Sequence, residues 1–419
     1  MSLGARLESG AAGGAAITFV GSAAGEAGGT DGIDRVEWAR LHDDARAMAA
    51  ALQRRGIGPG AHVGVLGPTS RPLVTALQAI WLTGATVVAL PLPMRLGSLE
   101  QFVAQTRQRI LHADLALVLV DAELTELLDA PDGLEVAQLH DLVNEARGGE
   151  RGFLRAADDP ERLAILQFTS GSTAEPKGVM LPDRCIVANT DAIVEAAAIS
   201  PDDTAVSWLP LYHDMGLIGL LLTPMLIGAD LVLGAPQDFL AAPAVWLEWI
   251  STFRGTITAG PSFSYALAAR ALRRGNLDVD LSSWRLALNG AEPVDPDAVD
   301  AFCAAGAPYG LDAKAAFPVF GMAEATLAVA FPALGAGMEV DVIDRAALEL
   351  EGTARPIDAG NERARGLAVL GRAVRGLEMR IADRETGAPL GDRGVGELQL
   401  RGVSITPGYY RNDDATAAA

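Results

Sequence analysis

The stretch Leu163 to Gly178 constrains this chain more than any other. Leu163 to Phe168 is an apolar run that reads as a buried strand, and Thr169-Ser170-Gly171-Ser172-Thr173 then sets hydroxyls around one glycine, ahead of Pro176, Lys177 and Gly178. A simple turn needs no such density of hydroxyls. Hydroxyls and free backbone N–H groups in a glycine-containing turn make an anion-binding concavity, and a lysine supplies the compensating charge. The stretch therefore predicts a phosphate cradle at a strand end. It is not the common nucleotide loop Gly-x-x-x-x-Gly-Lys-Ser/Thr, because only Gly171 lies upstream of Lys177 and Gly178 follows it.

Helix and strand signals alternate on both sides of this loop. Val36, Leu41, Met48 and Leu52 recur near helical spacing from Arg35 to Arg55, with Gly56 as the stop, and a strand is predicted at His62 to Leu66. A helix opened by Ser98, with Gln101 three residues on, precedes a strand at Leu115 to Val120; beyond the loop come a helix from about Arg184 to Ala198 and a strand at Thr204 to Leu209. Such alternation gives parallel sheets covered by helices. From Phe331 onward short strands and turns take over, with Leu377 to Ala382, Gly396 to Arg401 and several glycines, which reads as a small β-barrel-like part. A chain of 419 residues is too long for one core. The expected fold is α/β: two helix-covered, mostly parallel sheets in adjacent subdomains, roughly 1–190 and 191–330, plus a β-barrel-like subdomain over 331–419.

Composition narrows the function classes. With 53 acidic against 33 basic residues the net charge is -20, a field that repels DNA, RNA and anionic membranes. Cys185 and Cys303 lack partners at metal-ligand spacing and read as buried free thiols. The first twenty residues show no basic start leading into an apolar stretch, so a cytoplasmic location is expected. Pro72 to Met94 carries one charge-free run of membrane-spanning length up to Met94, but Gly84 splits it into a helix-like Leu73 to Thr83 and a strand-like Thr86 to Leu90 closed by Pro91 and Pro93. No membrane span is expected.

Four further segments carry candidate chemistry. In Leu209-Pro210-Leu211-Tyr212-His213-Asp214-Met215-Gly216-Leu217-Ile218-Gly219 an apolar run is broken by His213 and Asp214, which read as a cap or as a dyad. Ala259-Gly260-Pro261-Ser262-Phe263 and Ala287-Leu288-Asn289-Gly290-Ala291-Glu292-Pro293 each follow a strand-like run and precede a helix, where open α/β sheets bind ligands. Gly290 either lets backbone approach a flat purine or makes a tight turn. In Val319-Phe320-Gly321-Met322-Ala323-Glu324-Ala325-Thr326, Glu324 offers a carboxylate to a hard cation bound to phosphates, or serves a helix N-terminus.

Thr169 to Gly178 closely resembles the signature Ser/Thr-Ser-Gly-Ser/Thr-Thr-Gly-x-Pro-Lys-Gly of adenylate-forming enzymes, departing at Ala174 where glycine is usual. The segments at 209–219, 287–293 and 319–326, with Gly394-Val395-Gly396-Glu397-Leu398 and Gly408-Tyr409-Tyr410, follow in that family's order. The wording Leu-Pro-x-x-His-Asp-Met-Gly-Leu-Ile-Gly looks like the fatty acyl-AMP ligase branch. The resemblance implies activation of a fatty acid by ATP and Mg²⁺ to an acyl-adenylate, with an acyl carrier protein or polyketide synthase as acceptor. Thr169, Ser170, Gly171, Ser172, Thr173 and Lys177 would hold the phosphates, and Glu324 the metal. Asn289, Gly290, Ala291, Glu292, Phe320, Gly321, Met322 and Ala323 would hold the adenine and AMP; His213, Asp214, Met215, Ile218, Met225, Ser262 and Phe263 would line the acyl site, His213 also counting as catalytic. Phe320 stands where tyrosine is usual, and Ala323 where many relatives have threonine. The connection between Glu324 and Gly371, with an insertion at about 335–370, matches one that in that branch restrains a mobile C-terminal domain; it also fits a solvated surface hairpin. Chain 1–419 corresponds to the family's large N-terminal domain, ending before its ribose-binding aspartate and C-terminal lysine. An acyl-CoA ligase, an amino-acid adenylation domain and a non-catalytic nucleotide-binding module remain as alternatives.

Overall fold

The computed structural model describes residues 1–93, 98–147, 149, 151–169 and 177–419. They form two units, one of residues 1–190, 200–241 and 406–419, the other of residues 191–199 and 242–405.

The first unit holds a six-stranded sheet in the order Glu135–Gln138, Leu117–Val120, His62–Leu66, Thr86–Ala89, Leu163–Phe168, Gly178–Pro182. All neighbours are parallel except the last pair. His62–Leu66 and Leu117–Val120 are buried along their whole length, the pattern of strands covered on both faces. Arg71–Thr83 is one of the covering helices: the Ser70 hydroxyl caps its start, Pro72 sits in its first turn, and Gly84 ends it at φ +79. In Leu99–Ala113 the Ser98 hydroxyl accepts the Gln101 amide, as the sequence predicts. The uncharged stretch after Arg71 is thus helix Arg71–Thr83 followed by strand Thr86–Ala89, and among the described residues no helix is long and apolar enough to cross a membrane.

A further group of strands in this unit runs Thr204–Ser207, Asp230–Leu233 and Ala16–Val20, parallel, with Ile33–Glu37 antiparallel at its edge. Here the sequence expectation needs correction. The helix starts at Trp38, not Arg35, and Val36 pairs with Ile17 across the sheet. Residues alternate between buried and exposed from Ile33 to Glu37, so a period of two overrides what resembled the start of a helical repeat.

In the second unit Ile257–Gly260, Leu286–Asn289 and Ala316–Pro318 are parallel neighbours. An aromatic cluster supports the first two: Trp246, Tyr265, Trp284 and Phe302 meet edge to face, and three of them are anchored to the strands. The Trp246 indole donates to Thr258, the Tyr265 hydroxyl to the Leu288 carbonyl, and the Trp284 indole to the Leu286 carbonyl. Beyond Phe331 the expected short strands and turns are present, and among the described residues they do not close into a barrel. Separate antiparallel pieces stand there instead: Phe320–Gly321 with Ala328–Phe331 and Arg372–Ala373, and the ribbons Val340–Asp344 with Ala364–Ala368 and Leu377–Ala382 with Glu397–Gly402. Strands of two residues, such as Arg372–Ala373, are too short to carry closure.

Within the segment read as an insertion, 335–370, Val340–Asp344 pairs with Ala364–Ala368, and helix Arg345–Glu351 follows the first strand. It is not a free surface hairpin. Ala354 N–H donates to the Arg393 carbonyl at 2.8 Å, Val395 N–H to the Gly352 carbonyl at 2.9 Å, and the Arg393 guanidinium to Asp341.

Asp183 opens the segment after the last strand of the six-stranded sheet, and burial pushes its carboxyl up to about 6 against the opposing charge of Arg162. A folded-state value above the ordinary carboxylate range means that the neutral acid stabilises the fold; this contribution is present below about pH 4 and is lost as the pH rises through about 6. Asp183→Asn removes the titration. The mutant should therefore gain roughly 1–3 kcal/mol relative to wild type between pH 4 and pH 8, read from urea unfolding at both; an equal difference at the two pH values would show that this carboxyl is not raised.

Candidate active site

The base of the candidate phosphate loop lies in the first unit. Leu163–Phe168 and Gly178–Pro182 pair antiparallel with Phe168 opposite Gly178, and the Thr169 amide donates to the Lys177 carbonyl at 3.1 Å. Both ends of the loop are therefore pinned by a sheet ladder. Ser170, Gly171, Ser172 and Thr173 lie outside the described residues, as do Ala174, Glu175 and Pro176. Lys177 is half-buried, its ammonium 5.0 Å from the centre of the Tyr409 ring.

The Gln167 side chain ties the strand below the loop to the next segment, its amide donating to the Tyr212 carbonyl at 2.8 Å. The His213 Nδ1 meets the Asp214 carboxylate at 2.7 Å, and this partner raises the imidazole above its usual range. Asp214 also accepts the Met215 amide at 2.7 Å, so one carboxylate both caps the following helix and holds the histidine. That helix, Met215–Leu222, is wound as a π-helix, a form found mostly at functional sites. A Cβ on Gly216 would stand 2.3 Å from the Pro210 carbonyl oxygen, so only glycine fits there. Met215, Ile218 and Met225 are buried. A separate apolar cleft, lined by Val65, Leu73, Leu77, Leu90, Leu211 and Tyr212 among others, opens at the carboxyl ends of His62–Leu66 and Thr86–Ala89. Leu211 and Tyr212 belong to the segment singled out in the sequence, whereas Val65, Leu73, Leu77 and Leu90 were not read as site residues; the signal that could have found them is the strand-end rule applied to the first half of the chain.

In the second unit three loops are laced together. The Ser262 hydroxyl donates to the Asn289 side-chain oxygen at 3.2 Å and accepts the Asp295 amide at 3.2 Å, while the Glu292 carboxylate accepts the Phe263 amide at 3.0 Å. Ser262 is buried and Phe263 exposed. Asn289 is 2% exposed, and its side-chain NH₂ has no hydrogen-bond partner among the described residues. A Cβ on Gly290 would meet Val319 at 3.0 Å, which makes this glycine a point of close approach between two loops. Ala291 holds φ +69.

Phe320 and Gly321 pair with Ala328–Phe331, and both are half-buried, as are Met322 and Glu324; Ala323 is buried. Glu324 sits in a turn of only three residues, Ala323–Ala325, too short to present a helix dipole. The next residue but one, Thr326, holds φ +76, a strained conformation for a β-branched side chain, and its buried hydroxyl donates to the Ser404 carbonyl at 2.7 Å. Among the described residues no three His, Cys, Asp or Glu side chains cluster to hold a metal by themselves. A single half-buried carboxylate suits Mg²⁺, which keeps waters and substrate phosphates as its other ligands.

The AMP-binding enzyme family profile matches residues 16–410. The chain is similar to "Putative ligase Rv1013" of Mycobacterium tuberculosis (40% identity over 380 residues, 90% of this chain and 68% of that protein). It is similar to a "Putative acyl-CoA synthetase" of Caulobacter vibrioides (34% identity, 92% of this chain and 67% of that protein). A third relative, the medium-chain-fatty-acid acyl-carrier-protein ligase TtuA of Teredinibacter turnerae, is 34% identical over 62% of this chain and 41% of its own length. Among solved structures, a fatty acyl-adenylate ligase from L. pneumophila in complex with acyl adenylate and pyrophosphate superposes with a TM-score of 0.89 at 27% identity, over 100% of this chain and 71% of that one. The strand-end loops described above thus stand in a known framework, and the chain belongs to the AMP-binding enzyme family.

Proposed function

We propose that the protein activates a fatty acid with ATP, forming an acyl-adenylate and releasing pyrophosphate, and that the acyl group then passes to an acyl carrier protein or polyketide synthase. The observation that carries this reading is the likeness, over the whole chain, to a ligase solved with acyl adenylate and pyrophosphate. The relative named as an acyl-carrier-protein ligase supports the acceptor, and the acidic surface, which repels nucleic acid, supports a small-molecule substrate.

In the proposed reaction the fatty-acid carboxylate attacks the α-phosphorus of ATP in line, the bond to the bridging oxygen breaks, and pyrophosphate leaves with its charge. No bond forms to the protein. The chain's work is positioning and neutralisation, as in phosphoryl transfer generally. Thr169, Ser170, Gly171, Ser172, Thr173 and Lys177 hold the phosphates. Asn289 to Glu292 and Phe320 to Ala323 hold the nucleoside, with the Phe320 ring as a stacking face and the unpartnered Asn289 amide as a donor. Glu324 would hold Mg²⁺, which neutralises phosphate charge. His213, Asp214, Met215, Ile218, Met225, Ser262 and Phe263 are assigned to the acyl side, where the Asp214-paired imidazole faces the carboxylate end of the substrate.

A second reading, acyl-CoA ligase, has one observation in its favour, the relative named as a putative acyl-CoA synthetase. Product analysis by mass spectrometry with ATP, Mg²⁺ and a panel of fatty acids decides between them. Acyl-AMP that accumulates and transfers to a phosphopantetheinylated carrier but not to coenzyme A is the expected result; efficient acyl-CoA formation overturns the carrier reading. Lys177→Ala should weaken ATP binding by roughly 1.5–3 kcal/mol, the range for a charge-assisted contact, and unchanged affinity in calorimetry removes the phosphate assignment. Glu324→Gln keeps the shape of the side chain and removes its charge. The Mg²⁺ concentration for half-maximal pyrophosphate release should rise several-fold, and an unmoved Mg²⁺ dependence would make Glu324 structural.

A further inference from the structure

The segment around Gly408-Tyr409-Tyr410 lies along the strand that descends from the candidate phosphate loop. The Tyr410 amide donates to the Gly178 carbonyl at 2.8 Å, the Met180 amide to the Gly408 carbonyl at 3.1 Å, and the Thr406 hydroxyl to the Met180 carbonyl at 2.6 Å. Tyr409 faces Val179 across this antiparallel bridge. Lys177 lies two residues before Val179 and so shares its face of the strand, which makes it the diagonal neighbour of Tyr409. The ammonium stands 5.0 Å from the ring centre, within the reach of a cation–π contact.

Tyr409 is buried, and the backbone on either side of its ring is anchored. Tyr409 is 8% exposed, its amide donates to the Thr416 hydroxyl at 2.9 Å, and the carbonyl of the next residue meets the His112 imidazole at 2.9 Å. Lysine, by contrast, is a point charge on a flexible four-carbon stem that loses much rotamer freedom when fixed. A fixed aromatic face beneath the ammonium removes part of that freedom before any ligand arrives, and preorganisation of this kind strengthens binding without adding a contact to the ligand.

We propose that Tyr409 is a positioning residue for Lys177, holding its ammonium at the mouth of the phosphate loop; this rests on Lys177 being a phosphate contact. The test is calorimetric titration of the 419-residue chain with inorganic pyrophosphate and Mg²⁺, in a double-mutant cycle. Tyr409→Leu should weaken pyrophosphate binding about 3- to 10-fold, whereas Tyr409→Phe, which keeps the ring, should stay within about 2-fold of wild type. In a Lys177→Ala background Tyr409→Leu should have no further effect. Pentafluorophenylalanine at position 409 keeps the shape but reverses the ring's charge distribution, so it should weaken binding as leucine does even if the leucine variant folds poorly. Full Tyr409→Leu weakening in the Lys177→Ala background, or wild-type affinity with the fluorinated ring, overturns the proposal and leaves the phosphate reading standing. Unchanged affinity in Lys177→Ala alone removes both.

Discussion

The first unit can hold the two ends of the candidate phosphate loop together because its last strand turns back. A parallel successor to Leu163–Phe168 would need a crossover of a dozen residues or more, and the two ends of the loop would lie far apart. The antiparallel return of Gly178–Pro182 brings Lys177 opposite Thr169, closes the loop with one backbone bond, and sets the lysine on an edge against which residues 406–410 can pair. One reversal of strand direction thus supplies both the hydroxyl-bearing ascent and the charged descent. The segment carrying Tyr409 depends on the same reversal, since Val179 could not otherwise offer it an antiparallel partner.

The second unit holds its candidate residues by strain instead. Ala291 and Thr326, one in each candidate nucleoside loop, stand at positive φ, at about 1–3 kcal/mol each; Ala291 is exposed, and Thr326 is buried. The Asn289 carbonyl accepts the Val319 amide, Thr326 is bound to Ser404, and a Cβ on Gly321 would come within 2.2 Å of the Leu327 carbonyl. The aromatic cluster beneath the strands gives these loops a stiff floor. Backbone held in this way changes little when a ligand arrives, which is what a site for a flat base requires.

Much of this was legible in the sequence where local pattern and tertiary environment agree. Apolar runs such as His62–Leu66 became buried strands with the expected bounds, and Ser98 and Gly84 punctuated helices as side-chain chemistry dictates. Val36 misled because a residue spaced like a helix was claimed by a neighbouring strand. The candidate loops were legible by motif, whereas the bonds that hold them join residues far apart in the chain. Nothing near Ser262 announces Asn289, and nothing near Lys177 announces Tyr409. The short strands expected after Phe331 are there, but the sequence could not say how they pair: turn residues mark where strands end and not which edges meet.

The lacing of the insertion onto residues 391–395 bears on how such segments could be exchanged between relatives. Arg393 sits at φ +69, and its carbonyl and guanidinium are both engaged by the insertion, while Gly352 accepts the Val395 amide. A cut at the two ends of the Val340–Ala368 hairpin would therefore not yield a clean excision, because it would strand a left-handed arginine whose partners had gone. The transferable module is discontinuous: hairpin and receiving turn form one piece of architecture written in two places along the chain, and a chimera that moves either without the other inherits an open seam.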